Sequence, residues 1–483
     1  MTGNHARLIV LVGNLVVCGL GFNLQAQEID PFTLRGVKTS SPPTIDGLFT
    51  ANEWQDAGRA TDFIQFEPNR GEPSKFQTEV AVLYDEAHLY IAFVAHDPEP
   101  VMAQMTQRDA ELWNDDSVQV YLDTFHDGRS GYFFMTNALG TQLDGRIAED
   151  GRANDDTWDA PWLSATQQTD SGYIVEISIP LNALQYASGT NTTWGINFAR
   201  SRRRTLERSY WAGPVDHWGR MSQAGDLIGL DVQPPTRRHQ FIPYTLSQVR
   251  EGHSPNASLG LDARYALTPQ TSVYMTLNPD FATIEADQEE INLTRFELNL
   301  TEKRQFFIEG QELFGQRIRT FYSRRIGDIS GGGKVLGTHG GWSFAALSAR
   351  SNLQTSNDRA DYTVARVRRD VATRSNIGFT LANRSQDGQQ QGSVEIDTNL
   401  FFTDTFGFTG QFVKSYGKHG TGTVAFFARP SYDSPTAHAH VRFTYLGDRV
   451  ADNINAIGFI RDDDRREIDS AASKTFWIRS GPL

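Results

Sequence analysis

The chain has 483 residues, 11% of them aromatic, and carries 58 acidic against 45 basic side chains, a formal net charge of −13. A length of this size predicts two or more structural units. The charge is unevenly divided, because residues 28–232 hold 31 acidic and 15 basic residues, whereas residues 233–483 hold 27 and 29. An acidic front part argues against a nucleic-acid partner, whose phosphates it would repel.

The first residues have the layout of a secretory signal peptide, which we predict at residues 1–26. Arg7 precedes an apolar run over 8–22, and the small residue Ala26 ends the segment. The run contains glycines and is shorter than the roughly 20 apolar residues of a membrane-spanning helix. Cys18, the only cysteine, lies in this segment. The sequence therefore predicts an exported protein whose mature chain has no thiol for disulfides, zinc binding or nucleophilic catalysis.

Residues 28–232 contain short runs in which apolar and polar residues alternate, each bounded by Asp, Gly, Asn or Pro. The clearest runs are 80–84, 88–93, 117–122 and 173–180. This pattern predicts strands joined by turns. A β-sandwich is the simplest architecture for such strands.

The same part carries an ordered set of motifs. The set begins with Pro43-Thr44-Ile45-Asp46-Gly47 and Glu53-Trp54, continues through Arg108-Asp109, Asp115-Asp116 and Asn137, and ends with Glu176 and Trp194-Gly195. In this order the motifs resemble family 9 carbohydrate-binding modules. The resemblance implies a jelly-roll-like sandwich, a carbohydrate ligand and bound calcium as a cofactor.

Sugar binding needs flat aromatic faces for the pyranose ring and nearby polar groups for its hydroxyls. Three tryptophans in loop-like, polar stretches meet the first need: Trp113, Trp158 and Trp162. The predicted polar partners are Asp115, Asp116 and Asn154. The alternative is that these tryptophans belong to the core, as we expect for Trp54 and Trp194. Residues 149–156 offer oxygen ligands but lack EF-hand spacing, so no metal-ligand set is predicted from the residues themselves.

Beyond Pro234-Pro235 the alternation continues over longer runs, for example 273–277, 377–381, 406–412 and 441–445. One face of each run is apolar and the other is small or polar. This is typical of an outer-membrane β-barrel with lipid outside and water inside, and the runs predict about ten to twelve strands. We therefore assign residues 233–483 to an antiparallel outer-membrane β-barrel.

A second set of motifs lies in this back part. It includes Asn278-Pro279-Asp280-Phe281, residues 292–297, Phe306-Phe307-Ile308-Glu309-Gly310 and residues 321–327. These motifs resemble a family of unknown function that commonly follows a family 9 sugar-binding-like domain and is regarded as an outer-membrane barrel. Residues 281–315 interrupt the strand pattern with a charged and a Phe-rich stretch, which predicts a plug-like segment. Members of that family are longer, and the chain has no terminal aromatic residue, so we expect a truncated barrel.

Three functions remain open. The first is a non-catalytic outer-membrane protein that binds polysaccharide or oligosaccharide through its front part and contacts outer-membrane lipid through its barrel. The second is a glycoside hydrolase or another component of xylan degradation. Such an enzyme needs two carboxylates across a cleft, for which Asp115, Glu149 and Asp159 are available, although no motif singles out an acid and a nucleophile. The third is a structural envelope protein without sugar binding, which burial of the loop tryptophans in the core would favour.

Overall fold

The computed structural model describes residues 32–234, 239–248, 256–279, 296–327, 329–352, 359–372, 374–403, 405–434 and 436–476. The predicted signal peptide at residues 1–26 lies outside these ranges. Strands dominate the described residues, which confirms the predicted all-β class. No helix within these ranges has the length and apolar character required to cross a membrane.

Fourteen described strands build the front part of the chain. They are β1 (Thr33–Arg35), β2 (Gly58–Ala60), β3 (Ile64–Glu67), β4 (Thr78–Tyr84), β5 (His88–His96), β6 (Ser117–Asp123), β7 (Gly131–Asn137), β8 (Gln142–Ala148), β9 (Ala153–Asp155), β10 (Leu163–Thr169), β11 (Gly172–Pro180), β12 (Gly189–Arg202), β13 (Glu207–Tyr210) and β14 (Gly225–Val232). One helical turn, α1 (Ala51–Trp54), follows β1. Short 3-10 turns lie at Leu112–Asn114, Leu181–Ala183, Arg203–Thr205 and Met221–Gln223.

These strands form two sheets that share one apolar core. The first sheet has the order β1-β14-β12-β6-β7-β8-β9, with β13 paired to β12 and β3 paired to β13, and the second has the order β10-β11-β5-β4-β2. The core between them includes the buried side chains of Phe93, Phe134, Val175, Trp194 and Phe198. This arrangement confirms the predicted β-sandwich.

A second apolar cluster covers the outer face of the first sheet. Its buried members include Tyr121, Phe133 and Met135, and the partly buried rings of Trp113 and Trp218 pack against it. Strand β7 is therefore covered on both faces. This explains its continuous apolar run from Tyr132 to Met135, where a half-exposed strand would alternate.

Twelve described strands build the back part. They are β15 (His239–Gln248), β16 (Asn256–Thr268), β17 (Thr271–Leu277), β18 (Ile329–His339), β19 (Trp342–Asn352), β20 (Arg359–Ala372), β21 (Ser375–Gln386), β22 (Gln389–Phe401), β23 (Phe406–Tyr416), β24 (Val424–Ser434), β25 (Ala437–Leu446) and β26 (Arg465–Lys474). They pair antiparallel in chain order, and among the described strands no ladder joins β15 to β26. The helical turns α2 (Gln305–Ile308) and α3 (Val450–Ile454) and 3-10 turns at Gln311–Phe314 and Ser323–Arg325 lie in the connections.

Residues 296–327, which we call the inner segment, lie against one face of the twelve-stranded sheet. Its backbone and side chains bond to three successive strands: Gln316 Nε2 donates to Thr380 Oγ1 on β21 (2.9 Å), Thr320 Oγ1 to Glu395 Oε2 on β22 (2.6 Å), and Ile318 N to Gln411 Oε1 on β23 (2.7 Å). Lys334 on β18 also donates to the carbonyls of Phe306 and Glu309. The segment therefore contacts strands on this face from β18 to β23.

The segment predicted to be plug-like, residues 281–315, is described only in part. Residues 280–295 lie outside the described ranges. The remainder belongs to the inner segment, and the aromatic side chains of Phe306, Phe307 and Phe314 pack in a core with strands β17 to β21. Contact with the sheet continues beyond residue 315 as far as Ile326, which is fully buried.

Strands β21 to β23 present polar side chains on one face of the twelve-stranded sheet and apolar side chains on the other. On the inner face, which contacts the inner segment, Thr380, Glu395 and Gln411 are at most 5% exposed. Their strand neighbours Phe379, Ile396 and Phe412 point the other way and are 45–55% exposed. On these three strands the polar inner face and the apolar outer face follow from the predicted alternation of side chains along each strand. Nearer to β17 the inner face is apolar, where it packs against the phenylalanines of the inner segment.

Candidate functional site

Trp113 and Trp218 form an aromatic pair on the outer face of the first sandwich sheet. Trp113 lies in the 3-10 turn Leu112–Asn114, just before β6, and Trp218 lies in the loop between β13 and β14. Their ring centroids are 5.1 Å apart with an angle of 59° between the ring planes. Both rings rest on Phe133, at centroid distances of 6.4 and 6.0 Å. The pair is therefore supported from below and only partly buried.

A cleft with a volume of about 370 Å³ lies beside this pair. This volume falls within the range of roughly 300–1,000 Å³ that is typical of small-molecule sites. Its polar lining comes from Asn154, Asp156 and Arg208. The Arg208 guanidinium lies 5.7 Å from the Trp113 ring centroid. The cleft thus combines aromatic rings with an amide, a carboxylate and a guanidinium, which are the groups that recognise sugar hydroxyls.

Strand β9 supplies the polar wall of the cleft. Asn154 is exposed within the strand, and Asp156 is exposed just after it, while Asp155 between them is buried. Asp155 Oδ1 accepts hydrogen bonds from Thr157 Oγ1 (2.6 Å) and from Gln311 Nε2 of the inner segment (3.0 Å). The strand alternation therefore sends two side chains to the cleft and one to the opposite side.

Trp158 and Trp162 require a correction. They are 6% and 3% exposed and belong to the sandwich core. Trp158 packs on Tyr132 with ring centroids 4.9 Å apart, and the Trp162 indole donates to Asp144 Oδ1 at 3.0 Å. Neither ring offers a face to a ligand, because the polar neighbours that suggested a loop, such as Asp159, point outward while the rings point inward.

Asp115 and Asp116 are likewise buried, at 2% and 4% exposure. Asp115 Oδ2 accepts hydrogen bonds from the Met105 backbone (2.9 Å) and from Asn137 Nδ2 (2.8 Å). Asp116 accepts from the backbone N–H groups of Met102 (2.8 Å) and Arg203 (2.6 Å). Their predicted role as sugar ligands is corrected to that of loop anchors, because both carboxylates are buried and hydrogen-bonded within the protein.

The predicted site residues thus divide into two groups. Trp113 and Asn154 meet in the cleft, whereas Trp158, Trp162, Asp115 and Asp116 do not reach it. Trp218 and Arg208 were missed. Trp218 lies in the polar stretch Asp216-His217-Trp218-Gly219, so the criterion that selected Trp113 also fits it.

One cluster of three carboxylates can be compared with the ligand set that a calcium ion needs. Within the described ranges, Asp109, Asp144 and Asp159 have oxygens within 4.8 Å of one another. The Arg108 guanidinium already lies among them, 2.5 Å from Asp144 and 3.1 Å from Asp159. Burial raises the pKa of Asp144 to about 6 despite this pairing. The cluster therefore carries its own cation, and its residues do not fit a calcium site.

The three carboxylates considered for hydrolysis lie in separate environments. Asp115 is buried, Asp159 pairs with Arg108, and Glu149 pairs with Arg368 of strand β20 at 2.9 Å. The carboxylate among the described residues lining the cleft is Asp156. No acid–nucleophile pair is assembled from the three candidates.

Comparisons with known proteins agree with both motif sets. Residues 45–230 match the carbohydrate family 9 binding domain-like family, and residues 234–336 match DUF5916, a domain of unknown function. A comparison with curated proteins gave no match.

Solved structures show weak likenesses. A family 9 carbohydrate-binding module from Caldicellulosiruptor kristjanssonii in complex with glucose has 18% identity and a TM-score of 0.32, with 42% of this chain and 98% of that chain covered. Salmonella typhi OmpF in complex with daunomycin has 10% identity and a TM-score of 0.28, with 87% of this chain and 98% of that chain covered. Likenesses at these scores carry no functional conclusion. The matched families confirm the resemblances, and the chain contains a family 9 carbohydrate-binding-like domain followed by a DUF5916 segment.

Proposed function

We propose that the chain is an exported, non-catalytic outer-membrane protein that binds carbohydrate in the cleft beside Trp113 and Trp218. The observation that carries this proposal is the aromatic pair itself, two partly buried indoles held 5.1 Å apart on the outer face of a family 9-like sandwich. Aromatic rings that line a solvent-accessible cleft can contact the apolar face of a pyranose ring. Asn154, Asp156 and Arg208 supply acceptors and donors for its hydroxyls.

The binding half of the proposal is tested by titrating the full chain in detergent with cello-oligosaccharides and xylo-oligosaccharides in a calorimeter. Truncation of Trp113 or Trp218 to Ala is expected to weaken binding by about 5-fold or more, since stacking contacts on aromatic rings are worth about 1–3 kcal/mol each. Trp342→Ala is the matched control, because Trp342 is 46% exposed and lies on β19, outside the cleft. Unchanged affinity in both cleft variants would refute the proposed site.

The membrane half rests on the polarity of the twelve-stranded sheet. Its outer face exposes large apolar side chains on strands β17, β20 to β23, β25 and β26: Met275, Val367, Phe379, Ile396, Phe412, Val441 and Ile468. Monomeric soluble proteins rarely expose large apolar side chains over so many neighbouring strands. Lipid is the partner that matches this face, because the strands hydrogen-bond to one another in chain order from β15 to β26 and present apolar groups outward.

Outer-membrane location is tested by fractionating cells that express the full chain and by comparing unheated and boiled samples in gel electrophoresis. A folded membrane β-sheet protein is expected in the outer-membrane fraction with a heat-dependent mobility. Recovery of the folded chain from the soluble fraction would overturn this half while leaving carbohydrate binding intact.

A structural envelope protein without sugar binding is the second candidate, and the burial of Trp158 and Trp162 favours it. The calorimetric titration distinguishes the two candidates. A carbohydrate-binding protein gives a heat of binding that Trp113→Ala reduces, whereas a structural protein gives no heat of binding with either chain. Calcium remains a prediction from the family resemblance. Its test is the thermal unfolding of the chain with calcium and with a chelator, in which a calcium cofactor raises the unfolding temperature.

A further inference from the structure

The strand connections at the two ends of the twelve-stranded sheet differ in length. At one end, the connections β16–β17, β18–β19, β20–β21, β22–β23 and β24–β25 take two to four residues each. At the other end, the connections take residues 249–255, 353–358, 387–388, 417–423 and 447–464, together with 278–328, most of which is the inner segment that lies against the inner face of the sheet. We call these the short-turn end and the long-loop end. Only 387–388 at the long-loop end is as short as the connections opposite.

The sandwich contacts the sheet at the short-turn end. Glu149 of the sandwich pairs with Arg368 Nη1 (2.9 Å) and accepts a hydrogen bond from Asn399 Nδ2 (3.3 Å). Arg129 pairs with Asp370. Arg368 and Asp370 lie in the last five residues of β20, and Asn399 lies in the last three of β22. All three therefore lie where these strands run into short turns.

The ion pairs between the sandwich and the sheet are largely shielded from water. The side chains of Arg129, Glu149, Arg368 and Asp370 are only 11–20% exposed, so they pair in a partly dehydrated environment. The chain path agrees, because the sandwich ends with β14 at Val232 and β15 begins seven residues later. His239, the first residue of β15, pairs with Tyr265, near the end of β16 that leads into a short turn.

In outer-membrane β-barrels, short turns face the periplasm and long loops face the outside of the cell. We infer that the sandwich lies in the periplasm, so that the cleft beside Trp113 and Trp218 takes a glycan of the periplasm and not an insoluble polymer outside the cell. This inference rests on the proposed function. It narrows the ligand to a short soluble oligosaccharide or to a cell-wall glycan strand, which share exposed pyranose faces.

The orientation is tested with single-cysteine variants of the full chain, labelled in cells by a membrane-impermeant maleimide. Asp170→Cys reports on an exposed turn of the sandwich, Thr436→Cys on the short-turn end and Thr421→Cys on the long-loop end. The unsubstituted chain provides the background, because Cys18 lies in the predicted signal peptide. Each variant is labelled in intact cells and again after the outer membrane has been permeabilised.

The expected result is labelling of Thr421→Cys in intact cells and of Asp170→Cys and Thr436→Cys only after permeabilisation. The reverse pattern, with the chain still in the outer membrane, overturns the inference and leaves the proposed function standing. Equal labelling of all three variants in intact cells overturns both the membrane half of the proposed function and the inference.

The ligand source is tested with purified full chain. Sedimentation with cell-wall sacculi, lost on Trp218→Ala, identifies the cell-wall strand. Binding of soluble cello-oligosaccharides without sedimentation identifies the soluble ligand. Adhesion of intact expressing cells to insoluble cellulose or xylan, lost on Trp218→Ala, overturns the periplasmic assignment of the cleft.

Discussion

Glu176 holds together the motifs that open the sandwich. It is fully buried on β11, where Oε1 accepts from the Trp54 indole at 3.0 Å. Its other oxygen, Oε2, accepts from the backbone N–H groups of Asp46 (3.0 Å) and Gly47 (2.9 Å). The change Glu176→Ala removes one acceptor group and leaves three donors without their partner.

The magnitude follows from these three bonds. A hydrogen bond to a charged group contributes about 1.5–3 kcal/mol, and a buried donor left unsatisfied costs about 1–3 kcal/mol. Two effects reduce this loss. The Asp46 N–H is partly exposed and can bond to water. The carboxylate itself is costly to bury, as the raised pKa of Glu176 shows, and the substitution removes that cost. We therefore expect a loss of about 3–5 kcal/mol in the free energy of unfolding. For a unit of this size that is a fall in unfolding temperature of about 6–20 °C.

The assay is thermal unfolding of the full chain followed by tryptophan fluorescence, since seven of the nine tryptophans lie within residues 28–232. Glu176→Gln keeps one oxygen acceptor and is expected to lose about half as much stability. Glu53→Ala is the matched control, because Glu53 is only partly buried and bonds to Thr44 and Thr50 of the same motif region. If Glu176→Ala lowers the unfolding temperature no more than Glu53→Ala does, the carboxylate does not hold these motifs and the reasoning fails.

Three further predictions test other features. Burial raises the pKa of Asp144 from 3.8 to about 6 in the folded chain, which therefore binds this proton more tightly than the unfolded chain does. The free energy of unfolding is expected to fall by at most about 3 kcal/mol as the pH rises from about 4 to 6. Asp144→Asn should flatten that part of the pH profile measured by urea unfolding, and an unchanged profile would contradict the raised pKa of Asp144. Arg146→Ala breaks an ion pair with Glu309 (3.1 Å) that links the sandwich to the inner segment. This variant should lower the unfolding temperature of the sandwich, measured by calorimetry, by several degrees. Arg35→Ala is the control and should leave it unchanged, because Arg35 is exposed. Phe412→Arg places a charge in the middle of β23 and should make the free energy of folding into lipid vesicles about 2–4 kcal/mol less favourable. Tyr432→Arg, near the end of β24, should change it by only about 0–1 kcal/mol. Equal folded fractions of the two variants, measured by heat-dependent gel mobility, would argue against a lipid-facing surface.

Much of the fold was predictable because it depends on alternation along strands. The polar Gln411 and apolar Phe412 are neighbours in sequence and point to opposite faces, as a period of two requires. The motifs around Asp46, Trp54 and Glu176 were recognised as an ordered set. Their physical connection was not visible, because residues 122 and 130 positions apart in the chain meet only in the folded sandwich.

The candidate site was predicted less completely, for two physical reasons. A polar stretch does not reveal which way its tryptophans point, and between Asp155 and Trp162 the chain turns its rings inward and Asp159 outward. The second reason is distance along the chain. Trp218 reaches Trp113 from another loop of the sandwich, so no local pattern could pair the two rings.

Strand β9 restricts how the cleft can diversify during evolution. Asn154 and Asp156 line the cleft, but Asp155 between them is tied to Gln311 of the inner segment. An insertion or deletion in this strand would shift the register and exchange the two sides, whereas the loops that carry Trp113 and Trp218 have no such tie to the inner segment among the hydrogen bonds described above. Related chains are therefore expected to alter ligand preference by changing these loops while keeping the length of β9 constant.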